Sequence, residues 1–517
     1  MKSLLFVVNE AGEFIELRRV ALIAKARGYQ VNFLFAQPGY LNLRRDRAFC
    51  QLNGFREFFP GKKLQASAGT EVMKEREARL EGGYMPNSIL ASPPPLRPLP
   101  IRIAALAMIF ALHLVSLPVK IIRRVGARIG TRGELRRTRP FLYARTLFDL
   151  LTPDLVVFGQ EFPGSVNALL TRLCNTKGVP TLIIPFAVGT TKEMVESLSD
   201  KTDYEVSSSL SNRLAALLFP NWVNYYGGKA LLRLPGRSII AIEAAGLAPE
   251  HPWLPNNSKV TCIAVESPEM ERYYRHMRFP PQQLRLTGTA CDDSLSNARG
   301  QRDELKRKLC RLLRLNPAKR ILLCAWPTDQ FQSRHIPLEF NSYDQLCWAW
   351  ARALSVVARM TDFEVVIRPH PVTDPAKLAA ILSLYQLHER VTDIDTLELV
   401  PVCDLFVACV SSTLRWAAAC GIPAINYDCY DYGYTDFEPA GGISTVRRFH
   451  DFQSVLQEVT EEPAIYERAR LAQTACSAEW GLLDGCSADR IMALIDELSG
   501  GLPVGAPMTL DTRGTHS

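Results

Sequence analysis

DLFVACVSSTLRWAAACGIPAINYDCYDYGYTDF, residues 404–437, is the stretch whose reading decides the fold. It opens on an apolar run, Leu405 to Val410, rich in strand formers, and Ser411, Ser412 and Thr413 follow at once. Leu414 to Cys420 then reads as helix and stops at Gly421, and Pro423 opens a second apolar run, Ala424 to Tyr427. Strand, polar turn, helix, glycine stop and strand make a β-α-β unit. Hydroxyl side chains at a helix start satisfy free backbone N–H groups, and the same groups attract anions. If the strand is parallel and buried, the turn lies at the carboxyl edge of a sheet, where ligands of open α/β folds bind. A capped helix with no ligand accounts for this stretch equally well on its own.

Upstream, residues 363–371 read FEVVIRPHP. Glu364 to Ile367 predicts a short strand, with Arg368, Pro369, His370 and Pro371 where it ends. Proline does not continue a central ladder. An arginine and a histidine are therefore held in a rigid corner, expected at the same sheet edge as Ser411. A histidine between two prolines has no evident core role, which favours a functional reading.

RPHP at 368–371, an aspartate-led strand from Asp404 ending in SST at 411–413, and GIP at 421–423 together resemble the nucleotide-binding half of GT-B glycosyltransferases. The nearest resemblance is to bacterial surface-polysaccharide transferases, those of capsule polymer, polysialic acid and CDP-glycerol polymer, which carry an HP motif and a paired-hydroxyl motif in the C-terminal domain. The likeness covers roughly residues 285–430, and the N-terminal half in outline only. It implies an α/β fold of GT-B architecture: two Rossmann-like domains facing a cleft, an acceptor domain and a nucleotide-sugar domain.

Length and composition agree with two domains. A chain of 517 residues exceeds one ordinary core. Its 47% hydrophobic content is that of a globular protein, and a net charge of +7 does not call for nucleic acid. The 13 cysteines include no CxxC pair and no zinc-spaced Cys/His cluster, which reads as reduced thiols of a cytoplasmic protein. Leu4 to Val8 is too short, and too soon followed by Asn9 and Glu10, for a signal peptide.

Residues 1–288 are expected to form the first domain. Ser3 to Val8 is a strand, Asn9 to Glu13 a turn, Phe14 to Arg27 a helix and Val31 to Ala36 a strand. That opening is Rossmann-like, without the GxGxxG that would argue for a bound dinucleotide. After a proline-rich linker, Ile101 to Ile122 is almost wholly apolar, and Arg123, Arg124, Arg128, Arg132, Arg136, Arg137 and Arg139 follow. The apolar core is shorter than the ~20 residues of a bilayer span. An apolar helix beside a basic one suits an anionic leaflet, so residues 101–139 are read as a membrane-associating helical insertion at the inner face of the cell membrane. A buried helix followed by a solvated basic face is the other reading.

The Rossmann pattern resumes with the strands Leu155 to Phe158, Thr181 to Pro185, Val260 to Val265 and Leu284 to Thr287, and Asn212 to Leu232 is expected to be helical in parts. The resemblance places the acceptor-side acid or base in the loops after the first two of these strands. In the second loop Ala187 stands where relatives carry Glu or His. Glu161, at the end of the strand Leu155 to Phe158, is therefore the expected catalytic carboxylate, with Glu193, Glu196 and Glu266 behind it. The hinge is expected at Gly288 to Asp293, the second domain over 289–480, a terminal helix over 481–499 and a disordered tail over 500–517.

The chemistry implied is transfer of a sugar, or a sugar-phosphate-like unit, from a nucleotide donor to a glycan or lipid-linked acceptor in surface polysaccharide synthesis. The leaving diphosphate needs positive charge or N–H donors. Arg368, His370, Ser411, Ser412 and Thr413 are expected to bind it, with His370 also catalytic. Thr289, Trp326 and Arg415 are possible nucleotide contacts. No DxD or His/Asp cluster calls for a metal, and no cofactor is expected. Where relatives hold the ribose with Glu or Asp, this chain has Trp416, whose indole accepts no hydrogen bond. A sugar-nucleotide 2-epimerase and a non-catalytic membrane-bound scaffold of the same fold are the alternative readings.

Overall fold

A computed structural model describes residues 1–37, 43–60, 143–186, 191–244, 248–257, 259–370, 372–409, 411–433 and 435–500. The membrane-associating reading of 101–139, the loop from Ala187 and the tail 501–517 fall outside the described residues, as do Pro371 and Val410.

Two parallel sheets carry the chain. The first holds, in chain order, β1 (Ser3–Val8), β2 (Gln30–Phe35), β3 (Arg56–Phe58), β4 (Leu155–Phe158), β5 (Thr181–Ile183), β8 (Cys262–Val265) and β9 (Leu284–Leu286). Its spatial order is β3-β2-β1-β4-β5-β8-β9, every pair parallel. Between β5 and β8 sits a small antiparallel hairpin, β6 (Val223–Tyr226) with β7 (Lys229–Leu232). The second sheet is β11-β10-β12-β13-β14, again all parallel. Its strands are β10 (Arg320–Ala325), β11 (Phe363–Arg368), β12 (Leu405–Ala408), β13 (Ala424–Tyr427) and β14 (Ile443–Val446).

Both sheets are fully apolar along their central strands, as parallel sheets covered on both faces must be. Leu4 to Val8, Leu155 to Phe158 and Leu405 to Ala408 are each fully buried. One face of the second sheet packs on the helix Tyr343–Met360, where Trp350 stacks on Phe452 with centroids 4.9 Å apart and on Tyr427 at 5.6 Å. Trp326, expected as a nucleotide contact, is 3% exposed and belongs to this core.

Helix boundaries shift from the sequence reading by a few residues. The first helix starts earlier, at Ala11 rather than Phe14, because Glu10 and Glu13 form a reciprocal capping box across what reads as a turn. The stretch 212–232 departs more. A helix Leu210–Leu218 ends before Pro220, and the rest is the β6–β7 hairpin. Gly227 and Gly228 have φ of +54° and +76°, the two positive values a tight hairpin turn demands. The edge strands β3 and β14, too short and too polar to signal themselves, have no counterpart in the sequence reading.

The chain passes between the domains twice. It leaves β9 through Gly288, at φ +74°, into the helix Ala290–Gly300. A Cβ on Gly288 would lie 2.3 Å from Ser487 Oγ, so the crossing is packed against the returning chain. That return is the helix Ser487–Ser499, whose Ile491, Met492, Leu494, Ile495 and Leu498 lie in the core of the first sheet with Phe6, Phe14 and Leu17. Arg27 pairs with Asp489 at 2.5 Å and with Asp496 at 3.7 Å. A second clasp joins Asp200 to Arg334 at 3.4 Å, the side chains 1% and 4% exposed.

Candidate active site

In an open parallel sheet the ligand crevice lies where strand order reverses. In the second sheet that point is between β10 and β12, since β11 lies on one side of β10 and β12 on the other. Ala325 is level with Arg368, and Cys324 with Val407, so the turns after all three strands share one edge. Trp326–Thr328, Arg368–His370 and Ser411–Thr413 are thereby brought to one place. In the first sheet the reversal lies between β1 and β4, which puts Asn9–Glu13 beside Gly159–Glu161.

The Ser411–Thr413 turn is ordered by its own hydroxyls. Ser411 Oγ lies 2.7 Å from Thr413 Oγ1 and accepts from Thr413 N at 3.3 Å. The helix that follows, Leu414–Ala419, has six residues and no side-chain cap from Thr413. It is too short to concentrate much dipole at its start, so the hydroxyls and the nearby imidazole are the donors on offer. Ser412 is exposed toward the cleft.

His370 is exposed, and its Nδ1 accepts from Val372 N at 3.3 Å. That bond leaves the proton of the neutral ring on Nε2. Partial burial first, and the Arg368 guanidinium second, lower the imidazole pKa. At neutral pH His370 is therefore an N–H donor rather than a cation. Arg368 is half-buried and braces the corner: Nε donates to Ile394 O at 2.8 Å and Nη1 to Pro369 O at 2.6 Å.

Arg415 and Thr289 meet, deep between the domains. Arg415 Nη2 lies 3.0 Å from both Thr289 Oγ1 and Asp292 Oδ1, and Nη1 donates to Trp480 O at 3.0 Å. Asp292 also caps its own helix by accepting from Thr289 N. The aspartate is fully buried and the arginine nearly so, which makes the pair a brace at the crossing between the domains.

Around this pair the two domains close on a cavity of about 20 Å³, room for one water. Its lining includes Glu16 and Glu266 from the first domain and Ser412, Arg415 and Trp416 from the second. Glu266 directly follows β8, and burial pushes its carboxyl up to about 7. Glu16 accepts from Cys291 Sγ at 2.6 Å, and burial raises it too. Glu13, beneath the first-sheet reversal, is pushed up to about 8 by burial, but its carboxylate is spent on the capping box.

Glu161 is buried at the end of β4, as expected of its position, but does not line this cavity. Its N–H donates to Asn256 Oδ1 at 2.8 Å, Asn256 N donates back to its carbonyl at 2.8 Å, and its charge is felt by Arg233. Glu196 accepts from Tyr226 OH at 2.9 Å and faces Gly433 of the second domain; the side chain of Glu193 lies outside the described residues.

Two parallel α/β domains, linked by the crossing at Gly288 and by the returning helix Ser487–Ser499, meet at a cavity lined from both. This is the GT-B arrangement. Among solved structures the chain is similar to a glycosyltransferase from Rickettsia africae ESF-5, at 10% identity over 96% of this chain and 98% of that one, TM-score 0.44. It is similar to a UDP-GlcNAc 2-epimerase from Neisseria meningitidis bound to UDP-GlcNAc, at 11% identity over 96% and 100%, TM-score 0.47. It is also similar to the wall teichoic acid polymerase TagF, at 11% identity over 96% and 89%, TM-score 0.45. No family model and no curated protein matches the chain. Among the described residues no three His, Cys, Asp or Glu side chains group to hold a metal ion, and no helix is long and apolar enough to cross a membrane.

Proposed function

We propose that this protein is a glycosyltransferase that moves a sugar from a nucleotide donor to a glycan or lipid-linked acceptor. The observation that carries the reading is the convergence of Arg368–His370 and Ser411–Thr413 on the strand-order reversal of the second sheet, with Ser412 sharing a cavity with the buried carboxylates Glu16 and Glu266 of the first. The donor's diphosphate is held by the Ser411, Ser412 and Thr413 hydroxyls and the His370 Nε2–H, with Arg368 supplying charge from behind. These donors act where charge develops on the leaving group, which is where such contacts accelerate transfer most. No metal is required in this scheme. A surface polymer as product, and an acceptor on a lipid carrier, fit the apolar and basic sequence of residues 101–139.

A panel of UDP-, CDP- and GDP-linked sugars, CDP-glycerol and CMP-sialic acid, scored by thermal shift and by released nucleotide, tests this reading. A transferase binds a donor and releases nucleotide, an epimerase interconverts sugars without release, and a scaffold does neither. His370→Ala and Ser412→Ala are each expected to lower nucleotide release by ~10²-fold while leaving the fold intact. Near-normal release from both folded variants would remove the diphosphate assignment.

A further inference from the structure

Glu266 stands out among the buried acids. It is 2% exposed, closes β8 at the carboxyl edge of the first sheet and lines the interdomain cavity. Its Oε2 has no hydrogen-bond partner among the described residues. Buried acceptors are nearly always satisfied, so an unsatisfied one at a cleft is open to a donor from a water or a ligand. Every neighbouring acid has other work: Glu16 holds Cys291, Asp292 holds Arg415 and its own helix, and Glu13 caps the first helix. Glu161 lies beside Asn256 and Arg233, away from the cavity.

We propose that Glu266 is the general base of the transfer. Its Oε2 takes the proton of the acceptor hydroxyl as that oxygen bonds to the anomeric carbon. The bond from that carbon to the diphosphate oxygen breaks, and the nucleoside diphosphate leaves with the electron pair. This assignment rests on the glycosyltransferase reading and displaces Glu161 from the role. Glu266 is faced by Arg415 from the Leu414–Ala419 helix, by Asp292 and Cys291 from the Ala290–Gly300 helix, by Glu16 from the first helix and by Tyr274 from the Pro268–His276 helix. Arg415 alone among these bears positive charge, and Asp292 already neutralises it at 3.0 Å. The carboxyl therefore stays in the range where a base is half ionised at neutral pH, which suits proton transfer.

The test compares wild-type protein with Glu266→Gln, Glu266→Asp and Glu161→Gln, using whichever donor of the panel the wild type hydrolyses and water as acceptor. Glu266→Gln is expected to lower kcat by ~10²–10⁴-fold with KM for the donor unchanged, and to abolish the acid limb of the pH–kcat profile near pH 7. Glu266→Asp keeps the charge but withdraws it, and is expected to lower kcat by at least about tenfold with KM unchanged. Glu161→Gln keeps the acid limb. A folded Glu266→Gln with wild-type turnover, or one that retains the limb, overturns the proposal. If that variant does not fold, unchanged kcat in Glu266→Asp overturns it instead. A wild type that hydrolyses no donor removes the glycosyltransferase reading itself, and the base with it.

Discussion

Replacing Glu266 by glutamine is expected to stabilise the protein, and to do so more as pH rises. Burial lifts this carboxyl from 4.5 to about 7. At ~1.4 kcal/mol per pH unit, the ionised form is disfavoured in the folded chain by ~3 kcal/mol. Between the two values the folded chain holds a proton that the unfolded chain has released. Stability therefore falls as pH rises through that window, and is level below and above it. Glutamine holds no such proton, so the advantage of the variant over wild type grows by ~3 kcal/mol from about pH 4.5 to pH 8. Glu13 and Glu16 impose slopes of the same sign, but they do so in both proteins and cancel in the difference. Urea unfolding of both proteins at several pH values, followed by tryptophan fluorescence, measures it. A difference that does not change with pH would refute the reasoning, because it would mean that Glu266 is as well solvated folded as unfolded. A group kept at such a cost to stability is what a working acid or base should look like.

Two further outcomes are expected. Arg415→Met strands the fully buried Asp292 carboxylate and should cost ~3–5 kcal/mol in urea unfolding. Adding Asp292→Asn should recover much of that loss, and strictly additive effects would show that the two are not coupled. The protein should sediment with anionic vesicles, and Arg123, Arg124, Arg136 and Arg137 changed to Gln should weaken that binding while leaving neutral vesicles unaffected; wild-type protein that ignores both kinds ends the membrane reading of residues 101–139.

The strands that carry the site were legible because each is a mostly apolar run closed by a chemical signal. Leu405 to Ala408 ends in hydroxyls, Phe363 to Arg368 in prolines, and Leu284 to Leu286 before a glycine at positive φ. Edge strands β3 and β14 gave no such signal, since they are short and only partly buried. The hairpin at 223–232 was lost to helix because its twin glycines sit inside an otherwise apolar stretch. The site divided along the same line. His370, Ser411 and Ser412 stand out as candidates because their setting is local: a corner between prolines and a turn after a strand. Glu266 could be noticed only as a carboxylate at a strand end. Its isolation depends on Arg415 and Asp292 binding each other, and no local pattern records a contact between residues 292 and 415. The pairing of Arg415, a possible nucleotide contact, with Asp292 has no local signature for the same reason.

The helix Ser487–Ser499 has a consequence for how the protein is made. It supplies Ile491, Met492, Leu494, Ile495 and Leu498 to the core of the first sheet, whose own strands end with Leu286. Until that helix leaves the ribosome, the part of this face beside the helix Ala11–Ala26 stays open to water. At about 5–20 residues per second, the roughly 200 intervening residues take on the order of 10–40 s to synthesise. During that interval Phe6, Phe14 and Leu17 lie against a gap that a chaperone, or the wrong chain, can fill. Expression should thus suffer from any lesion that stops the chain before Ser487, because such a chain has both sheets but lacks part of the core of the first.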